Sequence, residues 1–248
     1  MTEIILKIEF GGIGDHLFHT PLPRLLKQLG LADKVFLSES SAIRNNESLD
    51  FVWGTNPFLD GFSPLPPTKL TPVKTNSSAL MNIIAAHHGI PDQGNELAPE
   101  IYKTIDISTK FTKNSYIDLN YTSFVGALTI FDMRTIFSLH PDHIILNPSP
   151  IICALLPHRK FIFTNSLIEY VTVIKSCESF ICLASGGATL ASALNKQAVV
   201  YFGHGFPDTI KHKTNNYIQF GSDNFFRHQL ARILFKKNQI RIHFSKNK

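Results

Sequence analysis

Residues 10–30 read FGGIGDHLFHTPLPRLLKQLG. Just before the glycines, IILKIEF (4–10) is a strand pattern rich in β-branched residues. Just after them, DHLFHTPLPRLLKQLG (15–30) is a helix pattern with Gly30 as its stop. Pro21 and Pro23 must kink that helix or confine regular helix to either side. Gly11, Gly12 and Gly14 therefore lie on a strand-to-helix turn, with Asp15, His16 and His19 at the mouth of the helix. Such glycines let a ligand approach the backbone, or they serve a tight turn and nothing more. A dinucleotide fingerprint needs a further glycine where Leu17 stands, and no Walker A loop is present.

The same alternation continues along the chain. KVFLSES (34–40) reads as a second strand and LDFVWGT (49–55) as a third. NPFLDGFSPL (56–65) reads as a turn into a short extended piece, PLPPTKLTP (64–72) as a loop, and SALMNIIAAHHGI (78–90) as a helix. A second series follows: strands at 116–121, 160–166, 179–184 and 198–203 and a strand and loop at 143–150, with helices at 127–140, 167–177 and 187–196 between them. NFFRHQLARILFKK (224–237) reads as a basic amphipathic helix and QIRIHF (239–244) as a last extended segment. Strands alternating with helices predict parallel sheets covered on both faces, an α/β fold. Two series predict two Rossmann-like domains, 1–112 and 113–248.

Composition supports a folded chain. Of 248 residues, 44% are hydrophobic and 17% charged. The N-terminus carries neither a basic leader nor a small-residue cleavage site, and no apolar run is long enough to span a bilayer. Cys153, Cys177 and Cys182 form no CxxC pair, which reads as free thiols in a cytoplasmic chain without a zinc site. Charge is uneven: residues 211–248 hold six Lys and three Arg against Asp223, a balance of +8, leaving −3 for the first 210 residues. That segment is either a solvated face and tail or a surface for an anionic partner: phosphate, nucleic acid or the headgroups of a membrane.

In doubly wound sheets ligands bind beyond the carboxyl ends of strands. Besides the first glycine loop, Ala184-Ser185-Gly186-Gly187-Ala188-Thr189 lies between a strand and a helix. Small residues at a helix N-terminus form an anion site, and the Ser185 and Thr189 hydroxyls add donors for a phosphate. The alternative is a helix capped by Ser185. Asp15 suits a general base that takes a proton from an acceptor hydroxyl, and equally suits helix capping. Asp15, His16 and His19 also have metal-ligand spacing, but the sequence offers no clear further ligand.

Three segments together resemble the heptosyltransferases, glycosyltransferase family nine. KIEFGGIGDHLFHTPLPRLLKQL is similar to the family's opening strand, Gly-x-Gly-Asp loop and Thr-Pro-containing helix. NPFLDGF resembles its Asn-Pro-Tyr-x-Asp segment, and CESFICLASGGATLASALNKQAVVYFG its C-terminal signature. The clear match covers about a quarter of the chain. The resemblance implies a GT-B fold, two Rossmann-like domains facing a cleft. It implies an inverting, metal-independent sugar transfer that needs no cofactor, with a nucleotide-diphosphate sugar as donor and a glycan or lipid-linked glycan as acceptor. Asp15 takes the role of base, and Ser185, Gly186, Gly187, Ala188 and Thr189 that of the donor-diphosphate loop. Gly12, Gly14, His16 and His19 line the acceptor side, and Thr122 and Ser123 the cleft. There are departures. Ala184 stands for the family's aspartate, Thr189 for its histidine, and the loop 122–126 lacks the family's lysine. These departures motivate a rival expectation, a nucleotide-binding relative without catalysis. The +8 segment motivates two more: a peripheral membrane contact at the cytoplasmic face and, as a lesser option, a nucleic-acid acceptor.

Overall fold

The computed structural model describes residues 2–120, 128–203 and 207–221. The expected helix 224–237, the strand 239–244 and the loop residues Thr122 and Ser123 lie outside the described residues.

Among the described residues two parallel sheets organise the fold. The first has three strands in the order β1 (Glu3–Leu6), β2 (Lys34–Ser38) and β3 (Phe62–Ser63). The second has six, β4 (Tyr116–Asp118), β5 (Ile144–Leu146), β6 (Phe161–Ile162), β7 (Phe180–Leu183), β8 (Ala198–Phe202) and β9 (Asn216–Gln219). Their spatial order is β6-β5-β4-β7-β8-β9, and every pair is parallel. This is the doubly wound order, in which the chain starts in the middle, moves to one edge, and returns to build the other half. The switch point lies between β4 and β7, where Asp118 pairs with Cys182 in register.

Side-chain alternation sorts the core into two layers. Tyr116, Phe180, Cys182 and Val200 face one way, into a cluster that also holds Ile4, Leu6, Leu17, Leu26 and Trp53 of the N-terminal half. Ile117, Ile181, Leu183 and Tyr201 face the other way, against α5 (Ile130–Leu139) and α6 (Pro150–Leu155). The first cluster thus joins the two sheets through α7 (Leu167–Ser176) and α8 (Gly186–Ala193).

The proline-bearing segment splits into two helices, α1 (Ile13–His19) and α2 (Pro21–Gln28), around the buried Thr20. Pro21 starts α2, where its missing N–H has no partner to lose, and Pro23 falls in the same first turn. Gly30 follows the end of α2 at φ +67°, a left-handed position that suits glycine.

The strand expected at 49–55 is instead α3 (Asn46–Trp53). The Asn45 side chain accepts from the Glu47 N–H at 2.8 Å, and Ser48, Phe51 and Val52 bury one helical face. A cap and a three-to-four residue period outweigh the strand propensity of Phe, Val and Trp. A short helix and an edge strand escaped the sequence reading, as did one turn of 3-10 helix at Asp208–Ile210. Ser149 caps α6 with Pro150 at its first position, and β9 adds a strand whose burial is only partial. The helix α4 (Leu80–His87) falls where expected. Among the described residues no helix is long and apolar enough to cross a membrane.

Candidate active site at the meeting of two glycine loops

The loop after β1 and the loop after β7 meet. A Cβ built on Gly14 would lie 3.3 Å from the Gly186 Cα, and one built on Gly186 would lie 2.7 Å from Ile13 Cγ2. Neither residue has room for a side chain, so α1 and α8 touch at their N-terminal ends. Asp15 and Ser185 each stand one residue from that contact.

The other glycines of the first loop are also enclosed by the chain. A Cβ at Gly11 would sit 2.9 Å from the Arg44 backbone nitrogen and 3.0 Å from the backbone of Ala42 and Ile43. The segment 42–44 is held there by Ala42 N–H to Ile8 O at 2.9 Å and Arg44 N–H to Gly11 O at 3.2 Å. A Cβ at Gly12 would meet Asp15 Oδ2 at 2.7 Å, and that oxygen accepts the Gly12 N–H at 3.0 Å. Asp15 is thus both partly exposed at the contact and tied back to the start of α1. The Arg44 guanidinium reaches within 3.9 Å of the Gly12 Cβ position, which puts a cation beside the carboxylate.

The two histidines of α1 differ. His16 is 1% exposed and engaged at both ring nitrogens. The Trp53 indole donates to its Nδ1 at 2.9 Å, so the proton lies on Nε2, which donates to Ala42 O at 3.0 Å. With no lone pair to spare and burial pushing its pKa down, His16 packs the loop and is neither ligand nor base. His19 donates from Nδ1 to Asp15 O at 2.7 Å and meets His88 edge-to-face at 6.2 Å. Burial lowers its pKa to about 4. Among the described residues no group of three His, Cys, Asp or Glu side chains has the arrangement to hold a metal ion.

On the second loop, the Ser185 side chain accepts from the Gly187 N–H at 3.4 Å and caps α8. Ala188 and Thr189 turn inward, 3% and 4% exposed. The Thr189 hydroxyl bonds His212 Nε2 at 3.2 Å, and His212 stacks on Phe18 of α1 at 5.5 Å. Thr189 therefore ties α8 to α1 instead of offering its hydroxyl to a phosphate, and Ser185, Gly186 and Gly187 are the members left at the mouth. Burial holds the His212 pKa near 4, about 4 where an exposed imidazole would titrate near 6.5.

Sequence reading missed what lies beneath this loop. Asp118 ends β4 almost wholly buried, and its carboxylate accepts from Tyr170 Oη at 2.6 Å, from the Asn120 N–H at 2.8 Å and from Asn120 Nδ2 at 2.7 Å. Burial raises its pKa against the pull of those three donors. A lone acid closing an apolar strand was the available signal, and Asp118 is one. A pocket of about 520 Å³ opens elsewhere, at the amino edge of the six-stranded sheet, beside His140, His143, Lys196 and Asn216.

No protein-family model matches the sequence, and no curated protein matches it. Solved structures do match in fold. A family 9 glycosyl transferase from Veillonella parvula superposes with TM-score 0.60 at 9% identity, over 94% of this chain and 89% of that one. The E. coli ADP-heptose lps heptosyltransferase II gives 0.59 at 12% identity, over 99% and 100%. The dodecameric, iron-containing heptosyltransferase TibC, in complex with ADP-D-beta-D-heptose, gives 0.63 at 13% identity, over 90% of this chain and 63% of that one. The chain is an α/β protein with parallel sheets and has the GT-B-type fold of these glycosyltransferases.

Proposed function

We propose that this chain is an inverting, metal-independent glycosyltransferase that moves a sugar from a nucleotide-diphosphate donor to a hydroxyl of a glycan or lipid-linked glycan. Residues 1–112 form the acceptor side and 113–248 the donor side. The observation that carries the reading is the Gly14–Gly186 contact, which brings the loop that carries Asp15 against the loop Ser185–Gly187. A similar fold that holds ADP-D-beta-D-heptose supports it.

In the proposed reaction the Asp15 carboxylate takes the proton of the acceptor hydroxyl as its oxygen attacks the anomeric carbon. The carbon–oxygen bond to the diphosphate breaks, and the nucleoside diphosphate leaves with the bonding pair. The amides at the start of α8 meet its growing charge, and Arg44 supplies a cation near the base. A thermal-shift series with nucleoside diphosphates and their sugars tests the donor, since a ligand that binds the native state raises its stability. A positive shift together with released nucleotide supports transfer or hydrolysis; no shift with any of them refutes the reading.

A second reading, nucleotide binding without catalysis, is favoured by Thr189, which stands at the family's histidine position and is locked onto His212. A wild type that binds nucleotide and turns over no donor supports it.

A further inference from the structure

The Rossmann crevice at the switch point has two walls, the end of β4 and the start of α8 after β7. One buried carboxylate touches the supports of both. On the β4 side, Asp118 Oδ1 accepts both N–H groups of Asn120, whose amide also donates to Asn147 O at 2.8 Å at the end of β5. On the α8 side, Asp118 Oδ2 holds the Tyr170 hydroxyl at 2.6 Å. That hydroxyl in turn lies 2.9 Å from where a Gly187 Cβ would be. A tyrosine oxygen is usually free to swing aside, but this one is pinned by a charge-assisted bond inside the protein. The loop must rest on it, and Gly187 is the residue that permits the approach.

We propose that Asp118 and Tyr170 are positioning residues for the diphosphate-binding loop: the Asp118 carboxylate fixes the Tyr170 hydroxyl as the platform on which Gly187 rests, so that the loop presents the Gly186 amide to the nucleotide diphosphate. The inference rests on the glycosyltransferase reading for the identity of the ligand, but the platform itself is a property of the chain. It also accounts for a carboxylate kept in the interior. Buried charges are retained where several donors satisfy them, and these donors lie on the two walls of one crevice.

The test is a double-mutant cycle on the whole chain. ADP, UDP, GDP and CDP are the probes, with titration calorimetry for affinity and hydrogen exchange for the amides of 185–189. Tyr170→Phe keeps the ring and removes the oxygen. Its melting temperature should fall, because the buried Asp118 carboxylate keeps only the Asn120 donors; beyond that, the affinity for the bound nucleotide should fall about tenfold and exchange at Gly186 and Gly187 should quicken relative to amides elsewhere in the chain. Gly187→Ala should weaken binding similarly by pressing on the fixed hydroxyl. The combined Gly187→Ala/Tyr170→Phe variant should bind no worse than Tyr170→Phe, because the clash has lost its oxygen. Additive losses in the cycle, or wild-type affinity and exchange in Tyr170→Phe, overturn the proposal. Should the wild type bind none of the four nucleotides, the glycosyltransferase reading falls. Amide exchange in Tyr170→Phe then decides the platform: faster exchange confined to 185–189 sustains it, and unchanged exchange removes it.

Discussion

The two glycine loops, Gly11–Asp15 and Ser185–Thr189, are made of the same materials and are used differently. Around the first, the chain itself takes up the space glycine leaves: the 42–44 backbone over Gly11, the Asp15 carboxylate over Gly12, and α8 against Gly14. Around the second, Gly186 fits against α1 while Gly187 rests on a pinned hydroxyl beneath it. A run of glycines therefore says that something approaches closely. It does not say whether that thing is ligand or protein.

The largest expected effect separates the two loops by chemistry. Asp15→Asn keeps size and a hydrogen-bond acceptor but loses the base, so donor turnover should fall by about 10²–10⁴-fold while nucleoside diphosphate affinity holds. Undiminished turnover would remove Asp15 from the reaction and make it only a cap of α1.

Acid should loosen the joint between the loops. His19 and His212 have folded pKa values near 4, against about 6.5 when unfolded, and His16 is shifted the same way by burial. The unfolded chain then binds more protons below pH 6.5, so stability is full above that pH and is lost as pH falls from about 6.5 to about 4. For His19 and His212 the loss is on the order of 3 kcal/mol each at the acid end. Urea midpoints across this range measure it, and His212→Gln should flatten the slope. A slope unchanged by that variant would show that His212 titrates normally.

Steric substitutions should follow, at about 1–3 kcal/mol. Gly11→Ala sets a methyl against backbone that cannot turn aside, and should destabilise without changing nucleotide affinity. Gly30→Ala meets no atom within 4 Å but adopts φ +67°, so its cost should be near 1 kcal/mol from backbone strain alone. Equal losses at the two positions would mean that the 42–44 segment gives way.

Trp53→Phe probes the support of the first loop. It removes the donor to His16 Nδ1 and leaves a buried acceptor unmet, which should cost about 1–3 kcal/mol in urea unfolding. Little or no loss would mean that water or a ring flip replaces the indole.

Much of the fold was legible. Alternating strand and helix patterns implied parallel sheets, and Gly30 and Ser185 marked helix ends where they occur. The failures have local causes. At 49–55 the strand propensity of Phe51, Val52 and Trp53 yields to the helix cap that Asn45 supplies. At 150–155 a short helix of six residues lacks the length for a visible period. At 216–219 an edge strand with half-exposed residues shows no apolar run.

The candidate site was legible only as two separate loops. Residue types along the chain determined that each loop is a strand-to-helix turn, because conformational preference and capping act over a few residues. They did not determine that Thr189 turns inward to His212, that His16 is consumed by Trp53 and Ala42, or that Asp118 and Tyr170 lie under Gly187. Those facts depend on contacts between residues 17 to 52 apart in sequence, and only the packing of helices onto the sheets sets such distances. The sequence alone made an α/β chain with two turns rich in glycine; tertiary packing decided that the turns touch, and which polar groups remain at the point of contact.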